Sequence, residues 1–259
     1  MSDLLLNAIE TSLFYLPELP GKIDWLRLPG LIGHVSVASD FFTSSVGAST
    51  LEAEAINPTI AHLDKLFNGR EWGWVVGPKS TPGDLRTRLE TAGLENWVEM
   101  AGMALTDLKV PIENNPVVSV REMAPVDLET ASHLLAQALN ISEEGARLAT
   151  EALLFSQMPI QRRVYLAYLA GVDGPVGYAS LIHLPGQPIV VLWCAATLEQ
   201  HRRKGVYQSL VARRLADAYR DGARAAVIQA VRDTSAPICR KLGFVELCGL
   251  DWYIRSGVP

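Results

Sequence analysis

A basic run closed by a glycine carries the most chemistry in this chain. Arg202-Arg203-Lys204-Gly205 lies between an apolar stretch ending near Thr197 and a helical pattern opening at Val206. The first amides of a helix have no intrahelical acceptor, and the macrodipole adds about half a positive charge at that end. Glycine at the helix start lets an anion reach the main chain, and flanking guanidinium and ammonium groups add charge-assisted bonds to phosphate oxygens. The arrangement suits a pyrophosphate. Other phosphate motifs fail: neither G-x-x-x-x-G-K-[ST] nor G-x-G-x-x-G occurs, which removes support for nucleoside triphosphate and dinucleotide readings. Arg27-Leu28-Pro29-Gly30 repeats the spacing, but Gly33 interrupts and no amphipathic helix follows, so it reads as a turn.

The elements that must hold this loop alternate between strand and helix. Val117–Met123 is a short β-rich run, and Ala124-Pro125-Val126-Asp127 opens a helix with proline and an acid in its first turn. A second helix runs over Glu143–Leu154, with Ser142 or Asn140 as its cap. Arg163–Ala170 and Val176–His183 are strand patterns joined through Gly171-Val172-Asp173-Gly174-Pro175, whose Asp-Gly signals a hairpin. Ile189–Ala196 is continuously apolar, as in a central strand buried on both faces. The helix Val206–Tyr219 places Tyr207, Leu210, Val211, Leu215 and Ala218 on one face, with Arg213, Arg214 and Asp217 read as lying off it. Ala225–Val231 is a further buried strand, Ser235–Leu242 a short helix stopped by Gly243, and Phe244–Ile254 supplies the closing strands.

In the first half, Trp72–Val76 reads as a strand, Pro82–Ala92 as a helix ended by Gly93, and Trp97–Leu105 as another strand. An offset of 150 superposes Gly93-Leu94 on Gly243-Phe244, the mark of a decayed internal duplication. Asp107–Pro116, rich in proline and asparagine, is the boundary between residues 1–115 and 116–259. Trp72, Trp74, Trp97, Met100 and Met103 read as core, or as lining for an acceptor cleft.

Composition bounds the partners. The chain has 259 residues, 49% hydrophobic and 20% charged, so it can bury a sizeable core. Residues 1–115 carry net −7 and residues 116–259 net +2, giving −5, which disfavours a general nucleic-acid binder and favours a compact anion at the basic run. The longest apolar run, Ile189–Leu198, is about half the length of a membrane span, and Met1-Ser2-Asp3-Leu4 lacks a basic leader, so a cytoplasmic protein without membrane partners is expected. Three cysteines, Cys194, Cys239 and Cys248, without C-x-x-C indicate neither a disulfide framework nor a metal site.

From the basic loop onward the chain resembles the GNAT superfamily of acyl-CoA-dependent N-acyltransferases. The family signature, Gln or Arg, two residues, Gly, one residue, then Gly or Ala, matches Arg202 and Gly205 but meets Tyr207 at its last position. The hairpin, the apolar strand, the following helix and strand, and the ending Cys239-Arg240-Lys241-Leu242-Gly243-Phe244 continue the likeness over 117–255. Residues 72–105 resemble the degenerate first lobe of two-lobed members. The resemblance implies an α/β (α+β) fold: a mixed, mostly antiparallel sheet flanked by helices, with a smaller related N-terminal lobe at 1–115 and an acyl-CoA-binding domain at 116–259.

It also implies acetyl-CoA as donor and a small-molecule or peptide amine as acceptor, joined by direct attack in a ternary complex. A non-catalytic acyl-CoA-binding or sensing module is the alternative. Pantetheine would lie along Cys194, Ala195, Ala196 and Thr197, and pyrophosphate on Arg202, Arg203, Lys204, Gly205, Val206, Tyr207 and Gln208. A backbone N–H near Cys194 or Ala195 would polarise the thioester carbonyl. The apolar strand holds no carboxylate, so His183 and Glu199 are the candidate bases. The family's proton-donating tyrosine position is occupied by Cys239, either a donor to the leaving thiolate or a buried filler. Tyr207 either packs within its helix or covers the loop.

Overall fold

In the computed structural model, which describes residues 2–112 and 115–257, the described strands all join one 12-stranded sheet. Helix α1 (Ser2–Thr11) and a 3₁₀ turn to Tyr15 precede the hairpin β1 (Ile23–Leu28) and β2 (Leu31–Ser36). Then come β3 (Ser45–Gly47), α2 (Ile56–Phe67), β4 (Trp72–Val76), α3 (Leu85–Thr91) and β5 (Glu95–Leu105). The second half holds β6 (Val118–Glu122), α4 (Leu128–Leu139), α5 (Glu143–Phe155), β7 (Arg162–Leu169), β8 (Pro175–His183), β9 (Ile189–Val191) and β10 (Ala195–Thr197). It ends with α6 (Val206–Arg220), β11 (Ala225–Val231), α7 (Ser235–Lys241) and β12 (Val245–Arg255). Asn114, within the expected link, lies outside the described residues.

The sheet order is β1-β2-β3-β4-β12-β5-β11-β9-β8-β7-β6, with β10 also on β8. Pairing is antiparallel except for β3 with β4 and β9 with β11. The halves exchange their last strands: β5 lies between β11 and β12, with Met103 opposite Ile228, while β12 pairs β4, with Tyr253 opposite Trp74. The offset of 150 holds through the fold, since α2, α3 and β5 begin at residues 56, 85 and 95, and α6, α7 and β12 at 206, 235 and 245.

The pleat sends alternate residues to opposite faces. Val191 and Val227 face the layer of α1, α4 and α5, whereas Val190, Ala226 and Ile228 face α6 and α7. In the first half, α2 and α3 bury Ile60, Leu63, Leu85 and Leu89 against Trp72, Trp74 and Tyr253. Ser142 caps α5 by accepting from the Gly145 amide at 2.9 Å, while Asn140 takes the left-handed position that ends α4. Pro29 and Gly30 form the β1–β2 turn.

Four features depart from the sequence expectations. The stretch Ile189–Ala196 is interrupted at Leu192–Cys194, because Cys194 takes a positive φ of 37°. The chain end is one long strand with a register shift between Glu246 and Cys248, since it must span two neighbours. Arg214 and Asp217 are buried, at the i+4 and i+7 positions from Leu210 that lie on the same stripe. Trp97 is 45% exposed, its ring against Phe41 and Trp252, unlike the buried Trp72, Trp74, Met100 and Met103.

Candidate functional site

The interruption at Cys194 opens a fork in the sheet. Up to Val191 the strand is zipped to β11, and the Leu192 amide still donates to the Val227 carbonyl at 2.9 Å. Beyond it, the Ser180 amide lies 3.2 Å from the Trp193 carbonyl and 3.0 Å from that of Cys194, and the Ser180 hydroxyl donates to Trp193 at 2.7 Å. Two residues thus oppose one, a β-bulge that bends the strand. β10 continues antiparallel on β8 alone, with Ala195 opposite Ala179 and Thr197 opposite Gly177. β10 and β11 therefore part, and among the described residues the β10 edge toward the gap has no strand partner. Unpaired strand backbone is a template for any extended chain with amide groups of its own.

The basic loop lies at the open end of this fork. After a 3₁₀ turn at Glu199–His201, Arg203 (φ 62°) and Gly205 (φ 76°) turn the chain into α6. The N-cap residue of α6 is Gly205, which has no side chain with which to cap the helix. Asn115 donates from Nδ2 to the Lys204 carbonyl at 3.0 Å, bracing the loop from the link between the halves. A Cβ at position 205 would come within 3.1 Å of Asn115 Cβ, a second reason for glycine there. Arg203 and Lys204 are exposed, with Lys204 Nζ 3.4 Å from His201 Nδ1, whereas Arg202 folds back to donate from Nε to Thr197 O at 3.3 Å. Val206 is buried against β8, and Gln208 is half-buried in the first turn.

Beneath the fork, α6 packs on β10 and α7 on β11. Tyr207 Oη reaches 3.5 Å from Cys239 Sγ, so this contact spans from one arm of the fork to the other. Burial pushes the Cys239 thiol up and holds the Tyr207 hydroxyl well above its ordinary range; burial likewise pushes the Cys194 thiol up to about 12. The two cysteines and the tyrosine are neutral at physiological pH. Arg214, fully buried, donates from Nε to Leu210 O at 3.2 Å and from Nη1 to Ser180 O at 3.1 Å, and its Nη2 has no partner.

The opposite face is closed by the first half. Trp193 Nε1 donates to Leu13 O at 3.4 Å, Gln229 Nε2 donates to Ile9 O at 2.7 Å, and Phe42 packs against Trp193 with centroids 5.2 Å apart.

The structure thus brings together Cys194–Thr197, Arg202–Gln208 and Cys239. Glu199 is exposed in the 3₁₀ turn beside the loop. His183 is placed elsewhere: it pairs with Val190 in the zipped part of the sheet, and its Nε2 lies 3.4 Å from Asp221 Oδ2. Asp221 follows the far end of α6, about 24 Å from Gly205 at 1.5 Å per residue. Burial lowers the His183 pKa.

No family model and no curated protein matches the sequence significantly. Solved structures do match the fold. A GCN5-related N-acetyltransferase from Kribbella flavida aligns with TM-score 0.70 and 20% identity, over 98% of this chain and 96% of that one. A tandem GNAT protein from the clavulanic acid biosynthesis pathway, solved without AcCoA, aligns with TM-score 0.57 and 14% identity over 100% and 95%. A GCN5-related N-acetyltransferase from Sphaerobacter thermophilus gives 0.58 and 15% over 90% and 83%. The chain has the two-lobed GNAT fold.

Within this GNAT fold the internal offset lets the two halves be compared place by place. β3 begins 150 residues before β10, yet β3 stays paired to β4 throughout, Ser45 opposite Gly73 and Gly47 opposite Val75. The first-half fork is closed. The residues preceding α2 are Glu52-Ala53-Glu54-Ala55, where α6 is preceded by Arg202-Arg203-Lys204-Gly205. Two carboxylates at the first-half position repel an anion that the second-half loop attracts.

Proposed function

We propose that the protein is an acyl-CoA-dependent N-acyltransferase that moves an acetyl group from acetyl-CoA to an amine by direct attack in a ternary complex. One observation carries the reading: a basic helix start opened by a glycine stands at the open end of a sheet fork, and among the described residues the two occur together only in the second half. The pyrophosphate suits the amides from Lys204 to Tyr207 and the side chains of Arg203 and Lys204, while Arg202 secures the corner between β10 and the loop. The pantetheine arm carries two amides, which match the unpartnered edge of Ala195–Thr197. The Cys194 and Ala195 amides are the donors nearest the bulge for a developing oxyanion.

An alkylamine is mostly protonated near neutrality and must lose a proton before it attacks. His183 is held at the zipped end beside Asp221, which leaves Glu199 or water for this step. The acceptor is a small-molecule or peptide amine. The fully buried Cys239, its thiol raised by desolvation, is a weak acid there, and this favours the binding or sensing module as the second reading.

Thermal-shift measurement with acetyl-CoA tests the donor site, and thiol release with a panel of amines tests transfer. A rise in Tm with acetyl-CoA plus amine-dependent thiol release is expected. Binding without release supports the sensing module, and no shift with acetyl-CoA overturns both readings.

A further inference from the structure

Arg214 is a charged side chain in an apolar place. It is fully buried, and among the described residues no carboxylate stands within ion-pair distance of it. The nearest along the helix, Asp217, is engaged elsewhere: it accepts from Tyr165 Oη at 2.9 Å and Arg213 Nε at 3.0 Å, with Arg220 and Arg163 also paired to it. Two of the guanidinium nitrogens donate to neutral carbonyls, and the third, Nη2, is buried without a partner. Replacing a buried ion pair by apolar side chains of similar volume is often neutral or stabilising, and here the desolvated cation has no paired anion to offset its burial.

Its surroundings place it at the fork. One donor bonds to Ser180, the residue that the bulge opposes, and the titratable groups that feel its charge are Tyr207 on α6, Cys239 on α7, Tyr165 on β7 and Cys194 in the bulge itself. All four are neutral acids rather than counter-ions. Among the described residues, a buried cation with an unpartnered nitrogen, weak S–H and O–H donors around it and no counter-ion is suited to an anion brought to the fork.

We propose that Arg214 forms a thiolate site, which holds the sulfur of the acyl donor as an anion when the thioester is cleaved. This rests on the donor-site reading above. The amine nitrogen bonds to the thioester carbon, the carbon–sulfur bond breaks, and its electron pair stays on sulfur. The proton shed by nitrogen passes to water. The sulfur leaves as a thiolate opposite the guanidinium and is protonated by solvent after release, so no side chain has to act as its acid. This accounts for a buried thiol at 239 and for a phenol at 207 that keeps its proton.

The test compares the binding of coenzyme A with that of its desulfo analogue by calorimetry from pH 6 to 9. The protein's own thiols titrate identically with both ligands and cancel in the ratio. The preference for coenzyme A should rise about tenfold with pH, as one unit of thiol acidification requires. In Arg214→Met and Arg214→Gln the ratio should be flat, with desulfo-coenzyme A bound as in the parent. A flat ratio in the parent overturns the thiolate site, as does a rise that survives in either variant. Failure to bind both ligands is a different result, which overturns the donor site itself.

Discussion

Removing the two exposed cations of the loop isolates the interaction on which the donor site depends. Arg203 and Lys204 are exposed beside the glycine-opened start of α6, so Arg203→Ala with Lys204→Ala deletes charge without opening a cavity or orphaning a buried group. A hydrogen bond to a charged group contributes about 1.5–3 kcal/mol when desolvated, and exposed ion pairs contribute about 0–1 kcal/mol. Two such contacts to a pyrophosphate at a half-open loop should together be worth about 1–3 kcal/mol. That is roughly a 5- to 150-fold loss of acetyl-CoA affinity. The helix amides remain, so binding is weakened rather than abolished. Titration calorimetry in low salt and in about 0.5 M salt separates the terms, because the parent should lose affinity with salt more steeply than the variant. Arg202→Ala should cost less, since its Nε is held by Thr197 O rather than offered to a ligand. An unchanged affinity and an unchanged salt slope in the double variant, with Tm preserved, would refute the placement of the diphosphate.

Four further outcomes follow from packing. His34 is fully buried, and desolvation lowers it from 6.5 to about 4, so the neutral ring favours the folded state above pH 6.5. That stability is lost as pH falls from 6.5 toward 4, about 3 kcal/mol in all, and urea midpoints at pH 7 and 4.5 should differ less in His34→Gln. Burial alone would raise the Asp217 carboxyl, but hydrogen bonds from Tyr165 and Arg213 bring it below its ordinary value. Asp217→Asn should cost about 2–4 kcal/mol in denaturant titrations, and the parent should lose this contribution as pH drops through the lowered pKa. Ser142→Ala removes the α5 cap and should lower stability by about 1 kcal/mol in the same assay. Residues 116–259 expressed alone would lack β5, leaving the β11 edge bare; size-exclusion chromatography should show aggregation that the full chain does not.

Local signals made the second half legible and obscured the first. Ala225–Val231 and Trp72–Val76 are continuous apolar runs between turn residues, and their bounds follow from the sequence. Ser142, with two acids behind it, marks the α5 start in the same way. The bulge could not be read, because Leu192-Trp193-Cys194 is as apolar as the strand around it and only the hydrogen bonds of Ser180 reveal the extra residue. The strand exchange was hidden because β5 and β12 each read as the end of their own half; their register against β11 and β4 is long-range information. Arg214 was hidden by its charge. Its spacing from Tyr207 and Leu210 puts it on the buried stripe, and a charge counted as a surface marker conceals that geometry. His183 shows the reverse: a titratable side chain at a strand end invites a catalytic role, but the fork opens beyond it and Asp221 stands beside it.

The two halves divide labour along lines the duplication makes visible. Both have a strand, a loop and a helix at matching numbers, so the differences between them are changes at equivalent places. In the first half the strand remains zipped and the loop carries acids, which removes backbone donors and reverses the field at the helix start. What the first half retains is structural: β5 fills the sheet between β11 and β12, and Ile9 and Leu13 hold the side chains of Gln229 and Trp193 over the fork. The first lobe shapes the fork, because the face opposite α6 and α7 is made partly of its residues, together with α4 of the second half. Phe42, packed at a tilt against Trp193, comes from the loop whose Asp40 accepts from the Ser142 amide at 2.7 Å. Under the proposed function, an amine reaching the fork would pass residues of the first half, and those residues would contribute to acceptor selectivity.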